Sequence, residues 1–118
     1  MPYSEALRDH LAHPRNAGVL EDADADVELT NPVCGDRLRL TISVSDGHVR
    51  EARFLAYGCP PTLACASALT ELIRGKTLAD AARLTRDDLT NALGGLPARK
   101  GHAAALAVET LRAALSKL

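Results

Sequence analysis

Residues Asp36 to Tyr57, DRLRLTISVSDGHVREARFLAY, constrain the fold of this chain more than any other stretch. Leu38, Leu40, Ile42 and Val44 alternate with Arg37, Arg39, Thr41 and Ser43, the period of a strand with one apolar face and one wet face. Asp46-Gly47 supplies a two-residue hairpin turn, and His48 to Tyr57 returns with Ala52, Phe54 and Ala56 in alternation. Val49 is out of phase with that set, which predicts a β-bulge near Arg50 and Glu51. A hairpin with one apolar face is not stable alone, so the rest of the chain has to cover it.

The remaining segments read mainly as helices. Ser4 caps a short helix to about Leu11, and Pro14 with the Asn16-x-Gly18 turn ends it. EDADADVE, Glu21 to Glu28, reads as a solvated acidic connector entering a strand. Pro60-Pro61 suits the first turn of a helix that runs to about Arg74, where Gly75 stops it. TLADAARL and TRDDLTNAL are short helices, each opened by a threonine cap, and after Gly94-Gly95 and Pro97 a last helix covers roughly Lys100 to Lys117. Its main apolar face carries Ala104, Val108, Leu111, Leu115 and Leu118.

A chain of 118 residues with 47% hydrophobic content is expected to form one domain, residues 1–118, around one core. With one Phe, two Tyr and no Trp, that core comes from Leu, Ala, Val and Ile, and stacking on nucleobases is not expected. Fourteen basic against fifteen acidic side chains leave a net charge of −1, too balanced to capture a polyanion such as nucleic acid. The first twenty residues hold Glu5, Arg8, Asp9 and Arg15 and no apolar leader, and no run approaches the ~18 apolar residues of a membrane span. A cytoplasmic protein without membrane contact is expected. Three cysteines, an odd count, argue for reduced thiols rather than a disulfide framework.

The cysteines sit in different contexts. Cys65 shares a helix face with Leu69, Leu72 and Ile73 and is expected in the core, a reactive or ligating thiol being the competing reading. Cys59 falls between a strand end and a helix start, where free N–H groups and the positive end of the macrodipole favour a thiolate; the alternative is a thiol tucked under the Pro-Pro step. In NPVCGDR, Gly35 allows a tight corner that can aim Cys34 and Asp36 at one ion, while Asp36 as a turn cap is the competing reading. His102 opens the last helix on the side away from the apolar face, as a ligand or as an exposed or hydrogen-bonded histidine. His10, His13 and His48 carry no functional expectation. Thiols, a carboxylate and an imidazole form a ligand inventory for zinc or iron–sulfur chemistry, but spacing alone does not assemble residues so far apart.

DHLAHPRNAGVL, NPVCGDRLRLTI, FLAYGCPPTLACASALTELIRGKTL and LPARKGHAAALA occur here in an order and spacing that span nearly the whole chain. In these motifs the chain resembles the iron–sulfur cluster assembly scaffolds, the U-type scaffolds of the Isc system and the amino-terminal domain of the Nif scaffold. The resemblance implies an α+β fold, a small antiparallel three-stranded sheet packed on a helical half. It also implies a tip where cysteines, an aspartate and a histidine hold a [2Fe–2S] cluster built with sulfur from a cysteine desulfurase. Cys34, Asp36, Cys59 and His102 match the family's ligand positions. Ala103 stands where the family has its third cysteine, a cluster ligand and sulfur acceptor, and Cys65 falls where the family has a small helix residue. Cys65 replaces the missing ligand only if its helix is rotated or frayed.

Leu96-Pro97-Ala98-Arg99-Lys100 resembles, with Leu, Pro and Lys kept, the Leu-Pro-Pro-Val-Lys motif of the Isc-type scaffolds, which implies an Hsp70-type chaperone as a partner. Suf-type scaffolds carry an insertion in this half and lack the histidine, so the chain is nearer the Isc and Nif types. Three functions follow from the resemblance. The first is a scaffold or carrier of a labile cluster that serves recipient apoproteins. The second is a Zn²⁺-bound sulfur acceptor using the same four residues, with Cys59 or Cys34 taking the persulfide. The third is a metal-free regulator of the desulfurase. None of the three is an enzyme, and each is compatible with a monomer or a homodimer.

Overall fold

The computed structural model describes residues 3–118, apart from the side chain of Ala98. In chain order the elements are α1 (Glu5–Ala12), β1 (Ala25–Thr30), β2 (Arg37–Ser45), β3 (His48–Tyr57), α2 (Pro60–Ile73), α3 (Leu78–Ala82), α4 (Arg86–Ala92), a 3₁₀ turn (Ala98–Lys100) and α5 (Gly101–Leu115). The sheet is antiparallel in the order β1-β2-β3, and the helices make the other half of an α+β fold.

Local chemistry accounts for most boundaries. Ser4, Thr77 and Thr85 accept a backbone N–H at the starts of α1, α3 and α4, and Asp88 completes a capping box with Thr85. Asp46 and Gly47 both have positive φ, 53° and 73°, the turn whose twist matches a two-residue hairpin. Ser43 pairs with Glu51 and Val44 with Val49, so Arg50 is the extra residue of the expected bulge and Val49 returns to the buried face.

Leu38, Leu40, Ile42, Ala52 and Phe54 form the apolar face of the sheet. α2 covers it over β3 and α5 covers it over β1 and β2. Three sequence expectations need correction. Thr41 belongs to the expected wet face yet is buried, because the segment after Gly18 crosses it: its hydroxyl accepts the Leu20 N–H at 3.1 Å and donates to the Arg53 carbonyl at 3.3 Å. The acidic connector ends sooner than its charge run, since Asp26 and Glu28 lie within β1, where Asp26 forms a two-bond pair with Arg39. Leu118 lies past the end of α5 and is exposed, outside the apolar face assigned to it.

α1 is fastened to α2 by a buried polar junction. The Ser67 hydroxyl accepts the Arg15 backbone N–H at 2.8 Å and meets His10 Nδ1 at 2.8 Å. Thr70 donates to the Ser67 carbonyl and lies 3.2 Å from the Arg15 carbonyl. His10, Ser67 and Thr70 are all buried, so sequence reasoning that treated His10 as a helix-end residue missed its role. No helix of the described residues is long and apolar enough to cross a membrane.

Candidate metal centre

Arg37, the first residue of β2, pairs with Thr30 at the end of β1 and with Tyr57 at the end of β3. The loop between β1 and β2 and the junction between β3 and α2 therefore emerge at the same end of the sheet. The loop is a closed corner: Asn31 N–H donates to the Asp36 carbonyl and Gly35 N–H to the Asn31 carbonyl, each at 2.8 Å. The Asn31 side chain accepts from Val33 N–H at 2.9 Å, and Gly35 turns the chain at φ +79° with open space where a Cβ would stand. Cys34 ends up exposed while Asp36 turns inward, 6% exposed.

Cys59 is the N-cap residue of α2 and half-buried. Gly58 delivers it at φ +151°, and a Cβ on Gly58 would overlap the Asp36 carboxyl group, coming 2.9 Å from the Asp36 Cβ. The close approach of these two strands of chain thus depends on glycine. His102 arrives from the first turn of α5, with Nε2 3.5 Å from Asp36 Oδ2 and 3.9 Å from Cys59 Sγ.

Asp36 is the hub. Its Oδ2 accepts from the Thr62 hydroxyl at 2.6 Å and from the Cys59 thiol at 3.3 Å. One ligand atom each from Cys34, Asp36 and His102 lie within 4.8 Å of one another, and Cys59 joins this triple through its contacts with Asp36 and His102. Burial pushes the Asp36 carboxyl upward, but hydrogen bonds from Thr62, Cys59 and Cys34 and the charge on His102 outweigh it and hold the group below its ordinary 3.8. The carboxylate is therefore ionised at neutral pH and offers lone pairs to a cation.

The structure brings together all four residues singled out in the sequence, Cys34, Asp36, Cys59 and His102. It does not bring Cys65, whose side chain is fully buried and whose thiol burial pushes up to about 12. Ala103, at the position where the resemblance implies a third cysteine, is 1% exposed and packed in the interior. Sequence reasoning missed Asn31, Gly58 and Thr62. The spacing of three between Cys59 and Thr62, which puts both on one face of the first helical turn, was the available signal for the last. Around the tip, Val33 is 94% exposed and the Arg37 guanidinium lies 4.7 Å from the Tyr57 ring centroid.

The family described as the NifU-like N terminal domain matches residues 2–118. The chain belongs to that family. Within it, an iron–sulfur cluster assembly scaffold protein IscU of Archaeoglobus fulgidus is 42% identical over 113 residues, covering 96% of this chain and 74% of the relative. The protein of the same name from Escherichia coli K12 is 38% identical over 120 residues, covering 98% and 93%. A crystal structure of a putative scaffold for the SUF system from Fervidobacterium islandicum has the same fold, with a TM-score of 0.80 over 96% of both chains at 23% identity. The family match and the shared fold thus agree with the resemblance drawn from sequence.

Proposed function

We propose that this NifU-like chain is an iron–sulfur cluster assembly scaffold, residues 1–118 acting as one domain, whose cargo is a labile [2Fe–2S] cluster. Cys34, Asp36, Cys59 and His102 are the residues that hold it. The observation that carries this reading is the convergence of two thiols and an imidazole on one buried carboxylate. The donor set fits the cargo: thiolates suit iron–sulfur clusters, and histidine replaces cysteine in known centres with a changed potential. The names of the relatives, iron–sulfur cluster assembly scaffold proteins, support the same function.

Ala103 leaves the site with fewer thiolates than the family pattern, so the cluster is held by weaker oxygen and nitrogen donors in part and leaves readily. That suits a protein that holds and hands on its cargo rather than turning over a substrate. Sulfur comes from a cysteine desulfurase, and recipient apoproteins take the finished cluster. The segment Leu96 to Lys100, in which the Ala98 side chain lies outside the described residues, is the docking motif for an Hsp70-type chaperone. All of this is assigned to the cytoplasm.

The test is anaerobic reconstitution with ferrous iron, cysteine, a cysteine desulfurase and a dithiol reductant that brings persulfide sulfur to sulfide, followed by assays of iron, sulfide and zinc per chain and a visible spectrum. Stoichiometric iron and sulfide with charge-transfer bands, lost in Cys34→Ala, are expected. Zinc without sulfide would overturn the scaffold reading in favour of a zinc-bound sulfur acceptor, and no metal at all would leave a regulator of the desulfurase.

A further inference from the structure

Thr62 is 1% exposed and sits in an apolar stretch of α2, between Pro61 and Leu63 and one turn before Ala66. A hydroxyl buried there is costly unless it is paired. Its partner is the Asp36 carboxylate, 2.6 Å from Oδ2, the short distance of a charge-assisted O–H···O bond. The ionised carboxylate only accepts, so the single Thr62 proton points at Oδ2. The same hydroxyl oxygen lies 3.3 Å from Cys59 Sγ. Thr62 therefore touches two residues of the tip without offering a strong ligand of its own.

We propose that Thr62 is a positioning residue: its hydroxyl anchors the Asp36 carboxylate so that Oδ2 faces Cys59 and His102, and this orientation prepares the tip to capture a metal ion. The inference rests on the tip being a metal site, as proposed above. Without the anchor, the longer contacts of Oδ2 with the Cys59 thiol at 3.3 Å and His102 Nε2 at 3.5 Å are left to hold the carboxylate, and its orientation is less tightly set. Groups that orient a ligand in this way typically contribute about 10–100-fold to metal affinity.

Zn²⁺ affinity, measured by competition with a chromophoric chelator, and the absorption spectrum of the Co²⁺-substituted protein test this in the full chain. Thr62→Val should bind Zn²⁺ about 10-fold or more weakly and change the Co²⁺ bands, whereas Thr62→Ser, which restores the hydroxyl, should behave as wild type. In an Asp36→Ala background, which removes the acceptor, Thr62→Val should have no further effect on the weaker Zn²⁺ binding that remains. Should Thr62→Val fail to fold, Thr62→Ala removes the same hydroxyl without adding a methyl beside the carboxylate. Wild-type affinity in the hydroxyl-less variant, or an equal loss in the Asp36→Ala background, would overturn the role of Thr62 and leave the metal site intact. A wild-type protein that binds neither ion, or binds both equally well as Cys34→Ala, would overturn the metal site itself and the role of Thr62 with it.

Discussion

Helix α2 carries two polar clusters, each built around a buried hydroxyl, one at its start and one in its middle. At the tip, His102 lies 3.5 Å from Asp36, and at the junction with α1, His10 lies 3.8 Å from Glu71. Both pair an imidazole with a carboxylate and a helix hydroxyl, Thr62 in one and Ser67 in the other. They differ in what the polar atoms face. At the junction, the Ser67 and Thr70 hydroxyls meet backbone groups of the 13–18 turn and of α2 itself, so the cluster closes on the chain and works as a fastening. At the tip, side chains from a loop, a helix cap and a second helix meet each other beside the exposed Cys34. A polar cluster satisfied by backbone is structure, and one whose donors converge with an open side is a site.

Substitutions can break that distinction or sharpen it. The largest effect is expected from Gly58→Ala, because the added Cβ overlaps the Asp36 carboxyl group at a φ of +151°. It should abolish cargo binding at the tip and cost about 1–3 kcal/mol in denaturant unfolding. Retained binding would mean that the approach of Gly58 to Asp36 does not define the site. Ser67→Ala acts at the other cluster, leaving His10 and the Arg15 N–H without their partner. A loss of about 1–3 kcal/mol is expected with iron, sulfide and Zn²⁺ binding unchanged. Reduced binding at full occupancy of the fold would show that the two clusters are coupled.

The pH dependence should separate them next. Burial, with help from the Arg15 charge, holds His10 below its ordinary 6.5 against the opposing pull of Glu71 and Asp9. Below pH 6.5 the unfolded chain therefore binds the proton first, so the stability contributed by neutral His10 is complete above 6.5 and falls as pH drops toward its folded value. Asp36 is held below 3.8, so its contribution is complete above 3.8 and is lost as the pH falls from there through that lower value. Denaturant midpoints recorded from about pH 8 to about pH 5 should decline on the acid side, and His10→Gln should flatten the decline. A slope that survives the substitution would assign it elsewhere. The smallest effect is expected at Cys65: Cys65→Ala removes one buried sulfur, should cost about 1 kcal/mol, and should leave cargo binding intact. Thiol alkylation of the folded protein should spare Cys65 while reaching Cys34, which is exposed.

Features governed by a few neighbouring residues were legible in the sequence. The caps at Ser4, Thr77 and Thr85, the Asp46-Gly47 turn and the bulge at Arg50 depend on local hydrogen bonds and backbone angles, and each was read in advance. Cys65 was legible as core because helical spacing alone puts it with Leu69 and Ile73. Thr41 was not, since the segment that covers it is distant in sequence and has no periodic relation to it. The same holds for Leu118, whose expected place on α5 assumed a helix longer than the one formed.

At the tip the division is sharper. Residue type and the family motifs singled out Cys34, Asp36, Cys59 and His102 from the sequence by itself, because the chemistry of thiols, a carboxylate and an imidazole is a property of the side chains. That Asp36 is the hub, that Thr62 anchors it and that Gly58 makes room for it were decided only in three dimensions. The register that sets Thr30, Arg37 and Tyr57 side by side carries a loop and a helix cap to one end of the sheet, and the packing of α5 on β1, β2 and α2 brings His102 to them. Distances of 2.6 to 3.9 Å between groups so far apart in the chain are set by that packing, which no local pattern encodes.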